Sequence, residues 1–528
     1  MMAEPGAPAL PAGGPGGPSA GEVHAMEHWG PALLALVVGA FMALLDSSIV
    51  NVAIPTMEHV FGVNTSQVEW VVTIYLLALG VVVPASGWLG DRLGYKRLYL
   101  LSLLVFTIGS GLSALSWSLP VLIGARVIQA LGGGMIMPTT MSMVFRLIPR
   151  RNLGVATGFF GMSMLLAPAL GPTIGGYLVQ YTNWRWIFTI NLPVGVFGLL
   201  LASAVLPEFA EHEPGRFDLW GFLTSASGLF ALLLALSEGQ TWGWQSPGII
   251  WLLYGAGVAL LAFVWIELAV DRPLLDLRTL GYKSFLASLI FAVGVNIALF
   301  AGAFFIPVFL QLVRGLTPLS TGLILMPGAL ATGIMMPVAG RMYDRIGPVV
   351  PVLLGTVLLT LGNYLLRDMS LQTPRMMIVW WMVVRGLGMG LAMMPATTAG
   401  MSVIPPRQVG RASALNNIVM RIAGSFGIAV LTVLLNDGTA TQSARLAQSF
   451  VPGTPAAAQL QSLTAHAGSA GAATILSELA GYVSAQGFTL ELDHLFVLLS
   501  GVGLITVVPA LFLRKGMYGG QGAGAPVD

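Results

Sequence analysis

Apolar runs of about twenty residues recur along this chain from Pro31 to Leu513, and about fourteen of them can be counted. Each run is long enough to cross a hydrocarbon core of roughly 30 Å as a helix, and lipid tolerates only backbone whose hydrogen bonds are satisfied internally. The composition agrees, because 56% of the 528 residues are hydrophobic and 9% are charged, whereas soluble domains carry roughly 25% charged residues. We therefore predict an all-α polytopic membrane protein with fourteen transmembrane helices.

The charges and residue types exclude several classes of function. A formal net charge of +2 without a Lys/Arg-rich face argues against nucleic acid as a partner. The absence of cysteine excludes disulfides, thiolate nucleophiles and Cys-ligated metals, and the six histidines show no metal-binding spacing. No nucleophile is accompanied by its base, as an enzyme embedded in the membrane would require. We therefore expect neither an enzyme nor a bound metal or cofactor.

The N-terminal residues 1–28 are rich in Gly, Pro and Ala and lack the basic start and short apolar core of a signal peptide. We predict a disordered cytoplasmic tail there and a second cytoplasmic tail at residues 516–528. The first apolar run, from Pro31 to Ile54, is too long for a signal-peptide core and has no small-residue cleavage site after it. It is therefore expected to remain as the first spanning helix.

The placement of lysine and arginine predicts how the chain is oriented. An even number of helices puts both termini on one side, and sixteen of the 24 basic residues fall in the loops and ends of that side. Five fall on the opposite side, and three lie inside the predicted spans. Because positively charged loops stay in the cytoplasm, both termini are predicted to be cytoplasmic in a bacterial inner membrane.

An internal repeat divides the chain into two similar halves. The segment Gly87-Trp-Leu-Gly-Asp-Arg-Leu-Gly94 matches Gly340-Arg-Met-Tyr-Asp-Arg-Ile-Gly347 on the skeleton G-x-x-x-D-R-x-G. Two further matches follow in the same order, residues 126–138 with 385–395 and residues 149–154 with 405–410. Both loops fall on the predicted cytoplasmic side, so the two halves have the same orientation, as in transporters whose halves are related by an axis along the membrane normal.

The repeat predicts two six-helix bundles, at residues 29–207 and 284–515, with two inserted transmembrane helices at 208–283. An extracytoplasmic loop is predicted at 436–493, and its Gly/Ala/Ser/Thr/Pro composition indicates a partly flexible segment. Apolar residues at helical spacing between Ile475 and Val483 fit a short amphipathic helix on the membrane surface. The alternative interpretation is a lid, or a docking point for an extracytoplasmic adaptor subunit.

Four segments carry a resemblance to a known family. They are residues 45–55 in the first helix, 87–97 in the loop after the second, 126–134 in the fourth helix and 161–176 in the fifth. With them the sequence resembles the major facilitator superfamily, specifically its fourteen-helix drug:proton antiporter branch of the EmrB/QacA type, from about residue 30 to 515. The resemblance implies proton-driven export of apolar or amphipathic small molecules. A same-fold exporter dedicated to one natural product, lipid or metabolite remains the alternative.

Asp46 is the only carboxylate predicted to lie deep inside a span, where an ionised group is costly and usually functional. At 1.5 Å per residue it lies roughly 22 Å along the first helix, and Arg126 lies roughly 9 Å from the outer end of the fourth, so their depths coincide. The arginine favours the ionised carboxylate and burial favours the protonated one, so a movement that separates them would drive proton binding. The resemblance implies the same role. The alternative is a buried structural pair.

Two motifs are candidates for conformational switching. The loop motif is expected to latch the halves, to anchor the topology, or both, through Gly87, Gly90, Asp91, Arg92, Gly94, Lys96 and Arg97, and in the second copy through Asp344 and Arg345. That second copy departs from the family pattern at Tyr343 and at 348–350, which weakens its expected role as a lock. The fifth-helix motif favours either bending or close packing, through Gly161, Pro168, Gly171, Pro172, Gly175 and Gly176.

A substrate cavity between the halves is predicted to be lined by soft and polar side chains. Its candidate residues are Met162, Phe304, Phe305, Arg385, Asn416, Asn417, Met420 and Arg421. The arginines Arg126, Arg385 and Arg421 stand against one carboxylate in the spans, so the interior leans positive, and neutral or anionic amphipathic compounds are expected to be accepted. The alternative is that the arginines bond to helix carbonyls. Protons, these compounds and membrane lipids are the expected partners.

Overall fold

The computed structural model describes residues 28–208, 217–270, 273–448 and 468–514, together with Ser462. Within these ranges fourteen helices are long and apolar enough to cross a membrane, which confirms the predicted number, and no strand occurs among them. The predicted tails lie almost wholly outside the described residues. The helices are α1 (Gly30–Phe61), α2 (Thr65–Val82), α3 (Tyr95–Ala114), α4 (Leu119–Leu147), α5 (Arg150–Tyr181), α6 (Trp186–Val205), α7 (Leu219–Trp242), α8 (Pro247–Ala269), α9 (Lys283–Val313), α10 (Ser320–Ile346), α11 (Val349–Leu366), α12 (Arg375–Ser402), α13 (Pro406–Gln448) and α14 (Ala473–Ala510).

The helices form two bundles with a pair inserted between them, as the repeat predicts. In the first bundle α1 packs on α5 and α6, and α3 packs on α4. In the second bundle α10 and α11 pack on α12, and α9 packs on α13. The inserted helices α7 and α8 pack on each other, and α7 also contacts α2 and α13. Trp251, Leu261 and Trp265 of α8 are exposed, which suits a helix that faces lipid.

The two copies of the loop motif make the same turn. Gly94 ends the short helix Ala85–Leu93 with a φ of +85° and leads into α3. Gly347 ends α10 with a φ of +84° and leads into α11. Side chains with a β-carbon rarely adopt positive φ, so glycine is needed at the last position of each motif. We call the face that carries residues 87–94 and 340–347 the loop side, and the opposite face the far side.

The described parts of the predicted loop at 436–493 are helical instead. The α-helix within α13 runs from Val409 to Gln448, and the α-helix that includes most of α14 begins at Gly468, ahead of the apolar span, so the predicted amphipathic segment is part of that helix. The reason is that alanine and other small residues lower hydropathy without opposing a helix, and here the two helices pack on each other at Gly438 and Gly487. Forty residues of helix span roughly 60 Å, so the far-side ends exceed a core of roughly 30 Å.

A largely apolar groove of about 740 Å³ lies between these two extensions, and Leu476, Leu479, Val483 and Phe488 are among its lining residues. Residues 449–461 and 463–467 of the predicted loop are outside the described part of the chain. The lid therefore stays a prediction, and no contact among the described residues supports a docking point for an adaptor subunit.

Candidate functional site

Asp46 lies one turn before the point where the first helix changes its winding. The α-helix Gly30–Ile49 gives way to a turn of 3₁₀ helix at Val50–Ala53 before it resumes at Ile54. Such a change within a helix often marks a hinge. The Asp46 side chain is completely buried at this place.

Three side chains from two other helices surround the Asp46 carboxylate. Arg126 of α4 donates from Nη1 to Oδ2 at 2.6 Å. Gln129 of α4 and Asn191 of α6 donate from their amide nitrogens to Oδ1, at 2.9 Å and 2.8 Å. Asp46 and Arg126, which the sequence predicts to lie at the same depth, thus form an ion pair in the structure. The two amides were not predicted, although Gln129 follows Arg126 at the three-residue spacing that places side chains on one helix face.

Arg126 is itself enclosed on every side. Its guanidinium lies 3.9 Å from the ring centre of Tyr75 and 5.6 Å from that of Phe188. Nε donates to the carbonyl of Val71 at 3.2 Å, and Nη1 also donates to Gln129. Nη2 is buried without a hydrogen-bond partner among the described residues. When one partner of an ion pair buried from water loses its charge, the other charge is left buried and uncompensated, which strongly destabilises the protein. A change in the charge of Asp46 is therefore expected to change the position of Arg126 as well.

The first loop holds the two bundles together through its acid. Asp91 Oδ2 lies 3.5 Å from Arg411 Nη2 at the start of α13, and the Tyr95 hydroxyl donates to Asp91 Oδ1 at 3.0 Å. Glycines make this approach feasible, because a β-carbon on Gly87 would press on the backbone of Arg411, and one on Gly410 would collide with the Tyr95 hydroxyl. The loop side is therefore closed at this point.

The basic residues of the first loop bind within their own bundle. Arg92 stacks on Trp88 with its guanidinium carbon 5.0 Å from the ring centre. Lys96 donates to the carbonyl of Ser203 at 2.8 Å, and Arg97 lies 3.6 Å from Glu208. These contacts within one bundle fit the anchoring role. In the ion pair between the two bundles, the positively charged partner is Arg411 of the second bundle.

The second loop also reaches across the interface, which its departures from the family pattern had argued against. Asp344 accepts hydrogen bonds from the backbone N–H groups of Gly154 and Val155 at 2.9 Å and 3.0 Å. These groups belong to the first turn of α5, where a helix has unpaired donors and a positive dipole end. The cap forms in a chain that carries Tyr343 at the position where the family pattern has glycine. Arg345, in contrast, is exposed.

The fifth-helix motif packs closely on both of its neighbours. A β-carbon on Gly161 would collide with Met394 and Met336 of the second bundle. On Gly171 it would collide with Ser48 of α1, whose hydroxyl donates to the carbonyl of Pro168 at 3.0 Å. Gly175 packs on α1 in the same way, Gly176 meets nothing, and Pro168 and Pro172 are exposed. The contacts match close packing at three of the four glycines.

The predicted cavity residues fall into three groups by burial. Phe305 and Arg385 lie inside the second bundle, where Arg385 donates to Asn363 Oδ1 at 3.0 Å and to the carbonyl of Ala298. They do not line a cavity in this conformation. Phe304 is 43% exposed. The remaining residues are half-buried, and they are Met162, Asn416, Asn417, Met420 and Arg421.

The sequence profile of the Major Facilitator Superfamily matches residues 36–428, well over half of the chain. The chain belongs to the major facilitator superfamily. It is therefore a transporter of small molecules and not an enzyme.

Relatives within the superfamily carry names of drug-resistance proteins. The chain is 32% identical over 491 residues to the multidrug resistance protein B homolog of Mycobacterium tuberculosis strain H37Rv, which covers 91% of this chain and 89% of that protein. It is 29% identical over 408 residues to the lincomycin resistance protein LmrB of Listeria monocytogenes, covering 77% and 87%. The human organic anion transporter MFSD10 matches with a TM-score of 0.59 at 14% identity, covering 92% of this chain and 100% of that chain, and this likeness shows the fold alone.

This facilitator also has a buried carboxylate that the sequence analysis did not identify. Glu267 lies near the loop-side end of the inserted helix α8 and is 1% exposed. Both of its carboxylate oxygens accept from the backbone N–H of Leu275 at 3.2 Å. Its charge interacts with those of Asp218 and Arg411. The inserted pair is thereby linked electrostatically to the residue that binds Asp91.

Proposed function

We propose that this facilitator is a proton-coupled antiporter that exports apolar or amphipathic small molecules across a bacterial cell membrane, with its loop side in the cytoplasm. The placement of basic residues supports the orientation. The relatives named for multidrug and lincomycin resistance support the substrate class. The structure then represents a state whose cytoplasmic side is closed.

The observation that carries the proposal is the enclosed carboxylate of Asp46. Its two oxygens take three hydrogen bonds from Arg126, Gln129 and Asn191, and its side chain is 0% exposed. Donors of this kind stabilise the ionised form, and the low dielectric around it opposes a lone charge. Protonation of Asp46 would therefore release Arg126, and deprotonation would reform the pair. Because the pair joins α1 to α4, its charge state can change the packing of the first bundle.

Two contacts that hold the loop side closed connect the change in packing of the first bundle to the movement of substrate. The contacts of Asp91 with Arg411 and of Asp344 with the start of α5 must break before the loop side opens. A proton that enters from the far side and leaves to the loop side can then drive substrate in the opposite direction. Each cycle exchanges the two, as an antiporter requires.

The test is uphill export and substrate-dependent proton flux in proteoliposomes of purified protein, with wild type compared with Asp46→Asn. Asparagine keeps the shape of the side chain and removes the titratable charge, so the variant should stay folded and lose both activities. Glu69→Gln is the matched control, because Glu69 is an exposed carboxylate at the start of α2. Full uphill export by folded Asp46→Asn protein would refute the proposal.

Arg126 provides an independent arm of the same test. Arg126→Gln should leave a buried carboxylate without its positive partner, so coupled export is expected to fall severely. A variant that keeps the wild-type rate of coupled export would contradict the pairing as the coupling element.

A further inference from the structure

Arg421 is a charged residue in the middle of a spanning helix. It lies twelve residues beyond Val409, the first residue of the α-helix in α13, which corresponds to roughly 18 Å of helix rise. Its side chain is half-buried. A guanidinium at this depth needs a partner or water, because the cost of an uncompensated charge in an apolar interior is large.

The described residues give Arg421 no hydrogen bond and no ion pair, unlike the other two arginines inside the spans. Arg126 is paired with Asp46, and Arg385 bonds to Asn363 and to a helix carbonyl. From the sequence, Arg385 and Arg421 are equivalent candidates. Their surroundings separate them, because Arg385 donates hydrogen bonds within its own bundle and Arg421 donates none to the described residues.

Tyr75 connects Arg421 to the proton site. The Arg126 guanidinium lies 3.9 Å from the ring centre of Tyr75, and Arg421 of the second bundle lies near the same tyrosine. Two guanidinium groups from two bundles are therefore close to one buried tyrosine. Asp46 balances the charge of Arg126, so the positive charge of Arg421 is left uncompensated in this region.

The side chains near Arg421 suit the apolar part of an amphipathic molecule. Met420 precedes it, and the sulfur of Met420 accepts from Asn296 at 3.1 Å. Phe300 packs on Gly424, less than one turn further along the helix, and is 38% exposed. Thioether and aromatic groups adapt to ligands of different shape.

We propose that Arg421 is the head-group site for amphipathic anions, binding a carboxylate, sulfonate or phosphate group while the apolar body lies against Met420 and Phe300. Arginine presents paired donors that match the two oxygens of such groups. This inference rests on the proposed export function. It concerns the binding of the anion and not its transport, so the test needs no proton gradient.

The experiment uses three probes with the same apolar body, namely 1-pyrenebutyrate, 1-pyrenebutanol and 1-pyrenebutylammonium. Their dissociation constants are measured by fluorescence on the purified full chain in nanodiscs. Wild type should bind the butyrate about tenfold more tightly than the ammonium, a difference of about 1.4 kcal/mol. Arg421→Gln should lose this preference and keep its affinity for the neutral alcohol, and Arg421→Lys should keep most of the preference.

Arg445→Gln is the matched control, because Arg445 is an exposed arginine on the same helix and its loss should leave the preference unchanged. An ammonium preference in wild type would overturn the inference without any variant. An unchanged butyrate preference in Arg421→Gln would overturn it as well. If the preference is found while substrate-dependent proton flux is absent, the anion site stands and the proposed antiport fails, so the two failures are distinguishable.

Discussion

Gly154 and Gly340 meet backbone to backbone across the two bundles. A β-carbon built on either glycine would lie closer to the carbonyl oxygen of the other than real β-carbons come to any atom. Gly340 opens the second copy of the loop motif, and Gly154 begins the α5 turn that Asp344 caps. The closed loop side therefore depends on the absence of a side chain at Gly154 and Gly340 as well as on its charged contacts.

Gly340→Ala is predicted to prevent full closure of the loop side. Overpacking typically costs about 1–3 kcal/mol, so the equilibrium constant between the closed and open states should shift toward open by about fivefold or more. Because the chain has no cysteine, spin labels at Arg151→Cys and Arg407→Cys can report the separation of the bundles. Gly322→Ala is the control, since Gly322 lies on the same helix and has open space around it. An unchanged distance distribution in Gly340→Ala would show that the contact is not required.

Asp344→Asn is predicted to weaken the closed state without abolishing it. The variant keeps an acceptor for the N–H of Gly154 and loses the favourable interaction of a charge with the α5 dipole, which is worth about 0.3–2 kcal/mol. The same pair of spin labels should show a larger open fraction. Arg345→Gln, at the exposed neighbouring position, should leave that fraction unchanged. If Asp344→Asn lost substrate binding while the loop side opened and closed normally, Asp344 would not be a residue that holds the loop side closed.

Asp91 and Arg92 are adjacent, but the structure assigns them different effects. Asp91→Asn should weaken the contact with Arg411 across the bundles and increase opening, and high salt should mimic it in wild type. Arg92→Gln should change opening little, because Arg92 stacks on Trp88 in its own bundle. Accessibility labelling of the loop side compares them directly. Equal effects of the two substitutions would mean that the loop acts as one charged unit.

The number of helices and the Asp46–Arg126 pair could be predicted from sequence because both follow from a constant rise per residue. Hydropathy fixes where a helix crosses lipid, and the depth of a charge follows from counting. Gln129 and Asn191 could not be found in this way, since an uncharged amide in a span is not rare enough to stand out. Their role appears only when α4 and α6 are packed on α1.

Two features of the structure were not foreseen from hydropathy, the helical extensions of α13 and α14 and the buried carboxylate of Glu267. Hydropathy reports which residues prefer lipid, and it does not report which residues are helical. The segment 436–493 is poor in large apolar residues, and yet its described parts extend α13 and α14. Glu267 lies two residues before Ala269, the last residue of α8, where a charge is usually solvated, and the packing of the following segment buries it.

Glu267 leads to the last prediction, which concerns stability. Its carboxylate is the acceptor for the buried N–H of Leu275, so Glu267→Ala would leave that donor unpaired at a cost of about 1–3 kcal/mol. The melting temperature of the purified protein in detergent should fall accordingly. Glu267→Gln keeps an acceptor oxygen and should recover most of the loss, while Glu69→Ala, at an exposed carboxylate, should cost little. If Glu267→Gln were as unstable as Glu267→Ala, the hydrogen bond to Leu275 would not explain the loss of stability.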